Sequence, residues 1–383
     1  MELTVIGVGE VGAALLRQLD RMQGHLPDLI GESLVVRHGV VRHPDRERDC
    51  PAPTHGYTTN AEAAALDPAV DLVVEVAGGR GWAPLLERVV GRGVPVVTAN
   101  KELVAWDGPQ LRRAARAAGT DVWMEASVGG AIPVLRTLEL SWPGYAFGYV
   151  AGVLNGTVNF VLDQMAAGQS LAHAVAAAQA AGLAEADPEA DVSGRDTQRK
   201  LAVLMQLAFG VAVRPDDIPT RGIGAVHPDQ VQAWARRGYR VKLLAQAWRG
   251  ADGVAAVVGP AVVPAAHPLG QLSGAENAVL LSGPDTGEAL LMGMGAGGGP
   301  TASAVLADIV AAARVRRGRS GLSWCRPIQD NVPWVDRPLG VVWAAESPPR
   351  RGRVSPRAMD GWRRITPQAA EPLWWWDGGA LSG

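Results

Sequence analysis

One stretch near the start of the chain constrains its fold more than any other. Residues 3–6, Leu-Thr-Val-Ile, are a short apolar run rich in β-branched side chains, and Gly7-Val8-Gly9-Glu10-Val11-Gly12 follows without a gap. Val11, Leu15, Leu19 and Met22 then recur at helical spacing, so a strand, a glycine turn and a helix come in that order. Glycine is abundant here, at 47 residues, so the G-x-G-x-x-G pattern alone means little. Its setting gives it weight. Gly7 suits a tight turn, Gly9 lets backbone approach a pyrophosphate, and Gly12 lets the helix lie against the strand. The free N–H groups and positive dipole end of the helix then face the phosphates. The loop of Gly7, Val8, Gly9, Glu10, Val11 and Gly12 is therefore a candidate dinucleotide site; the plain alternative is a structural strand-to-helix turn.

Residues 34–41, 71–76, 94–98 and 121–125 fit further strands, and residues 82–92 and 108–118 fit helices between them. Alternation of this kind predicts an α/β fold with a Rossmann-type, doubly wound parallel sheet. Ligands of such sheets sit beyond the carboxyl ends of the strands, which directs attention to residues 7–12, Arg42, residues 77–79 and Asn100-Lys101. NAD-preferring domains place an acid at the end of the second strand, and NADP users favour arginine. Here Val41 is followed by Arg42-His43-Pro44-Asp45-Arg46-Glu47-Arg48. The first side chain available is Arg42, with no acid before Asp45, which predicts NADP. The alternative is that these arginines only solvate a loop and NAD serves as well.

With 383 residues, 48% of them hydrophobic, the chain is long enough for two or three domains. A net charge of −2 lacks the basic excess of a nucleic-acid binder. Cys50 and Cys325 lie far apart without metal-ligand spacing, so no disulfide framework is expected and a cytoplasmic location is. No basic segment precedes an apolar run at the N-terminus, which argues against a signal peptide. No apolar stretch approaches the roughly 20 residues of a membrane helix.

Five later blocks narrow the reading. Thr98-Ala99-Asn100-Lys101-Glu102 is followed by Glu-Ala-Ser-Val-Gly-Gly-Ala-Ile-Pro-Val at 125–134 and Gly-Val-Leu-Asn-Gly-Thr-Val-Asn-Phe at 152–160. Residues 182–200 contain Gly-Leu-Ala-Glu-Ala-Asp and end in Gly-Arg-Asp-Thr-Gln-Arg-Lys; residues 293–308 hold Gly-Met-Gly-Ala-Gly and then Thr-Ala-Ser-Ala-Val-Leu-Ala-Asp. In this order the blocks resemble the homoserine dehydrogenase family over about residues 1–312. The residues alone lead to a nicotinamide-dependent enzyme with a carboxylate- and lysine-rich second domain. The resemblance adds the substrate pair, L-homoserine and L-aspartate 4-semialdehyde.

An alanine-rich helix over 172–181 is predicted to end at Gly182, and a loop with Glu185, Asp187 and Asp191 follows. A second helix begins near Gly194. On it Asp196 and Lys200 are four apart and share a face. Spacing alone reads equally as a surface ion pair. The resemblance implies that Glu185 and Asp196 bind the amino acid, with Asp191 and Thr157 beside them, and that Lys200 is the general acid. It gives Lys101 a second place in the site and at the cofactor, and adds Thr98, Gly182 and Gly297 to the cofactor contacts. It also implies that backbone carbonyls of Glu125, Val128, Gly130 and Ile132 coordinate a sodium-like ion, where the residues by themselves suggest a glycine turn joining domains. The expected partner is a small-molecule substrate, with no nucleic acid or membrane, in a homodimer.

The expected architecture is a cofactor domain over 1–130, to which 294–315 returns, and an α+β substrate and dimerisation domain over 131–293. In the latter, 254–263 and 278–282 read as strands. Past residue 318 the chain turns rich in Pro, Arg and Trp, with seven of its thirteen tryptophans. This tail lacks the strand and helix pattern of a regulatory ACT module; whether it packs on the body, stays disordered or is a frameshifted end is open. Two other functions stay in view. An aspartate-semialdehyde dehydrogenase needs a nucleophilic cysteine with a histidine partner, a role neither cysteine fits. A non-catalytic dinucleotide sensor has no use for Lys101, Glu185, Asp196 and Lys200.

Overall fold

The computed structural model describes residues 1–145, 147–251 and 253–318, and the backbone of 362–364 and 374–376. The chain divides into two compact units, one of residues 1–145, 202–214 and 296–330, the other of residues 146–201, 215–295 and 331–383.

The first unit is built on a parallel sheet of β1 (Glu2–Ile6), β2 (Val35–Val40), β3 (Tyr57–Thr58), β4 (Leu72–Glu75), β5 (Val96–Thr98) and β6 (Val122–Trp123), in the order β3-β2-β1-β4-β5-β6. This is the order of the nucleotide-binding doubly wound fold. The central strands are covered on both faces. Leu3, Val5, Ile6, Leu72, Val73 and Val74 are all fully buried, which is why these strands read as continuous apolar runs rather than alternating ones. The predicted strands are present; β3, two residues paired as Gly39↔Tyr57 and Val40↔Thr58, is an addition. The order reverses between β1 and β4, so their carboxyl ends open a crevice there.

Helix Glu10–Arg21 leaves β1 and buries Leu15, Leu16 and Leu19. Helix Gly298–Arg316 packs beside it, with Gln18 Nε2 donating to the Gly299 carbonyl at 3.0 Å and Ser303 Oγ at 3.2 Å. Helix Lys101–Ala117 starts seven residues before the predicted 108, because Asn100 caps it by accepting the Leu103 N–H at 3.1 Å and Pro109 is carried in its interior. The unit also runs on past residue 130. The Glu125 carboxylate accepts the N–H groups of Leu135 at 3.0 Å and Arg136 at 2.6 Å, which ties helix Val134–Leu140 to it. The buried Arg112–Glu139 pair, at 3.4 Å, adds to that tie. Gln206 Nε2 donates to the Val104 carbonyl at 3.0 Å.

The second unit holds an antiparallel sheet of β7 (Tyr149–Val153), β8 (Tyr239–Gly250), β9 (Gly253–Pro264), β10 (Glu276–Gly283), β11 (Gly287–Met294), β12 (Trp362–Arg364) and β13 (Trp374–Trp376). Its order is β11-β10-β7-β8-β9-β13-β12. The predicted strands at 254–263 and 278–282 are β9 and β10. Tyr149, Leu244, Trp248, Val257 and Leu280 form part of its core. Helix Leu171–Ala180 ends ahead of Gly182, whose φ of +71° lets the chain turn out of the helix. The loop expected after it contains a short helix, Glu189–Val192, so Asp191 stands on a helical turn. β12 and β13 pair with each other, and Trp374 pairs with Val262 of β9. The rest of the expected tail, Cys325 included, lies outside the described residues. Among the described residues no helix is long and apolar enough to cross a membrane.

Candidate active site

In the first unit the glycine turn sits at the crevice. Gly7 has a φ of +96°, and a Cβ there would lie 2.6 Å from the Ala77 Cα. A Cβ on Gly12 would lie 2.1 Å from the Gly7 carbonyl oxygen. Gly9, the N-cap of the following helix, has nothing within 4 Å of its missing Cβ, and that open space is what a pyrophosphate needs. A cavity of about 720 Å³ opens there, lined by Gly7, Val8, Gly9, Ala77 and Gly78 on one side and by Arg42, His43, Arg46 and Arg48 on the other. Arg42 and Arg46 are exposed and form no ion pair among the described residues. Val11 is half-buried on the first helical turn. The Glu10 carboxylate turns instead to the N–H of Gly298, at 2.9 Å, just past Gly297 with its φ of +105°.

The carboxyl ends of β4 and β5 are braced by a residue that pattern reading missed. Glu75 is fully buried. Its Oε1 accepts from the N–H groups of Ala77 (2.8 Å) and Gly78 (3.0 Å), and its Oε2 accepts from the Thr98 hydroxyl at 2.8 Å. Burial pushes this carboxyl above its ordinary range, against the pull of those hydrogen bonds. Thr98 accepts in turn from the Asn100 N–H at 3.0 Å, and Asn100 Nδ2 donates to the Gly79 carbonyl at 2.7 Å. The Thr98 hydroxyl is thus committed to shaping this edge. Lys101 is half-buried at the first position of the next helix.

Glu125 lies at a buried bend. Its own N–H donates to Asp308 Oδ2 at 2.8 Å, and Arg136 pairs with Asp308. Burial, reinforced by the charge of Asp308, raises the Glu125 carboxyl to about 8, and burial raises that of Asp308 to about 6. The Glu125 carboxylate is taken up by Leu135 and Arg136. What remains at 125–132 is carbonyl oxygen. Gly129 and Gly130 both have positive φ. The Ile132 carbonyl accepts from the Val134 N–H at 2.7 Å and that of Glu125 from the Val128 N–H at 3.4 Å. The carbonyls of the buried Val128 and Gly130 accept no hydrogen bond among the described residues. Hard oxygen donors without partners suit a cation. No cluster of three His, Cys, Asp or Glu side chains is arranged to hold a metal among the described residues.

The second unit carries the other cluster. Asp196 and Lys200, on helix Arg195–Ala208, pair at 2.8 Å. Lys200 Nζ also donates to the Leu154 carbonyl at 2.7 Å. Asn155 Nδ2 donates to Asp196 Oδ2 at 2.9 Å and to Asp191 Oδ1 at 2.7 Å, while its Oδ1 caps helix Gly156–Ala166 by accepting the Val158 N–H at 2.8 Å. Asp196 and Lys200 are 3% and 8% exposed, so this is no surface pair. An ammonium has three N–H donors. Two of Lys200's are used, and one is left uncommitted among the described residues. Thr157 donates to the Leu183 carbonyl. Glu185 and Gly182 are exposed, and the Glu185 carbonyl accepts from Gln179 Nε2 at 3.1 Å. Asn155 was not singled out from the sequence. Its partners lie 36 and 41 residues away, and only the spacing of an Asn before a helix marks it. Cys50, the other thiol considered, lies 3.6 Å from the Tyr57 hydroxyl.

Comparison with known proteins identifies the family to which these two units correspond. A family profile described as "Homoserine dehydrogenase" matches residues 133–310, and one described as "Homoserine dehydrogenase, NAD binding domain" matches residues 7–125. A homoserine dehydrogenase of Mycobacterium bovis is 40% identical over 323 residues, covering 82% of this chain and 72% of that protein. One of Synechocystis is 36% identical over 316 residues, covering 81% and 72%. Among solved structures, a homoserine dehydrogenase from Thiobacillus denitrificans superposes with a TM-score of 0.81 at 33% identity, covering 88% of this chain and 79% of that one.

Proposed function

The chain belongs to the homoserine dehydrogenase family, whose members are NAD(P)-dependent oxidoreductases, and on that footing we propose how its residues interconvert L-homoserine and L-aspartate 4-semialdehyde, a step in threonine and methionine biosynthesis. The observation that carries the assignment is the buried Asn155–Asp196–Lys200 cluster, with the half-buried Asp191 beside it and one lysine N–H to spare. A nicotinamide held by the glycine turn would supply or accept the hydride at the substrate's terminal carbon. Lys200 gives a proton to the aldehyde oxygen in reduction and takes it back from the alcohol in oxidation. A carboxylate suits the substrate ammonium; Asp191, Asp196, Glu185 and Thr157 are assigned to the amino acid. The decisive assay is NAD(P)H formation with L-homoserine as the only substrate. No turnover in a folded preparation overturns the assignment.

The cofactor is assigned to residues 7–12, Arg42, Thr98, Lys101, Gly182 and Gly297, with a preference for NADP. Two unpaired guanidiniums and no acid line that side of the cavity, and a guanidinium holds a phosphate through paired hydrogen bonds. Comparing kcat/KM for NADP and NAD in wild type and Arg42→Ala tests this; a wild-type preference for NAD overturns it. The carbonyls of Glu125, Val128, Gly130 and Ile132 are assigned to a monovalent cation, supported by the unpartnered pair at Val128 and Gly130. Thermal stability titrated with NaCl against a bulky-cation chloride checks it. A homodimer in the cytoplasm, acting on a small molecule, completes the assignment. Met292 and Met294, 56% and 49% exposed on the edge strand β11, support an apolar contact there, and light scattering on the purified chain gives the mass.

A further inference from the structure

The loop after β2 carries three arginines with unlike surroundings. Arg42 and Arg46 extend freely. Arg48 is held on several sides. Its Nη1 donates to the Arg46 carbonyl at 2.6 Å, its Nη2 donates to the His43 carbonyl at 2.9 Å, and its Nε reaches the Val8 carbonyl at 3.4 Å. Its guanidinium carbon lies 4.6 Å from the centroid of the Tyr57 ring, on β3. One side chain therefore joins the glycine turn, two points of the 43–46 bend and the strand beyond β2. Three carbonyl acceptors in different directions require a planar fork of donors, and an ammonium does not reproduce that. Three of its five N–H donors are so committed, one on each nitrogen, which fixes the plane of the guanidinium. The free arginines of the same loop have all of theirs to offer.

We propose that Arg48 is a positioning residue for cofactor choice: it fixes the 42–46 loop so that Arg42 and Arg46 meet the ribose 2′-phosphate, and does not itself read that phosphate. The proposal rests on the NADP preference assigned above. It predicts that shape, not charge, is what the residue contributes.

The test uses the full chain and the ratio of kcat/KM for NADP to that for NAD. Wild type, Arg48→Ala, Arg48→Lys, Arg42→Ala/Arg46→Ala and the triple variant are compared, each with its melting temperature. Arg48→Ala and Arg48→Lys are each expected to lower the ratio about tenfold, the scale of a charge-assisted hydrogen bond, through KM for NADP, with the NAD constants nearly unchanged. Adding Arg48→Ala to the double variant is expected to leave its ratio where it was. An Arg48→Lys variant that keeps the wild-type ratio overturns the proposal, because charge alone then suffices. So does a further fall in the triple variant, which means direct contact with the phosphate, and so does an equal loss with both cofactors, which means a general structural role. A wild-type ratio below one is the separate failure, that of the NADP reading itself.

Discussion

Asn155 holds together charges that would otherwise repel. Its amide lies between two carboxylates while its carbonyl caps a helix, so one neutral side chain serves three elements. Asn155→Leu is expected to raise KM for homoserine more than it lowers kcat, and to cost about 1–3 kcal/mol of stability from the lost cap and the lost hydrogen bonds to the two carboxylates. Unchanged KM and unfolding midpoint would remove the residue from both roles. Lys200→Ala acts on chemistry instead. We expect kcat to fall well beyond the tenfold that corresponds to about 1.4 kcal/mol, with cofactor affinity kept, as read by quenching of tryptophan fluorescence. A variant that keeps more than a tenth of the wild-type kcat would need another proton donor. Glu75 predicts a pH effect. Its carboxyl is raised by burial above the ordinary 4.5. The stability it contributes is therefore full below that value and is lost as pH rises through the raised one. Denaturant unfolding of wild type as pH rises above 4.5 should show a decline, and Glu75→Gln should lessen it, the remainder belonging to the raised carboxyls of Glu125 and Asp308. Parallel curves for the two proteins would sink the idea.

At the scale of elements, the glycine turn separates packing from ligand space. A methyl on Gly12 runs into the Gly7 carbonyl, whereas one on Gly9 meets no protein atom. Gly12→Ala is expected to lose about 1–3 kcal/mol by overpacking. Gly9→Ala should melt like wild type and bind cofactor poorly. The reverse pattern, by calorimetry and titration, would show that the turn is not the phosphate site. These elements were legible because strands buried on both faces are unbroken apolar runs, and because a glycine turn at a strand's end has few other uses. Helix Lys101–Ala117 was misjudged at its start. Gly108-Pro109 resembles a breaker, yet Gly108 sits where a Cβ would come 3.3 Å from Val104 and 3.4 Å from Gln206, and the Asn100 cap lies a full two turns earlier. β3 was missed because two residues carry no period. In the site, the Asp196–Lys200 pair was legible from its helical spacing. Glu75, Asn155 and Arg48 were not, since their partners are distant in sequence, backbone, or both.

At the scale of the whole molecule, the family match ends at residue 310. Deletion of 320–383 is therefore expected to leave homoserine turnover intact, with a small loss in melting temperature from the missing partner of Val262. An inactive or insoluble truncation would place that segment in the working body. The first unit is also discontinuous. Helix Gly298–Arg316 lies against the helix that follows β1, and Asp308 pairs with Glu125's N–H and with Arg136 from 183 and 172 residues further along the chain. This has a consequence for biosynthesis of the protein itself. At ~5–20 residues per second, a ribosome leaves on the order of ten to forty seconds between making Glu125 and making its partner. Through that interval the helix after β1 lacks its packing partner and Arg136 lacks its acid, which leaves apolar surface of the kind chaperones bind. The nucleotide-binding half is the first to emerge, and most of the substrate half is translated before it can be completed.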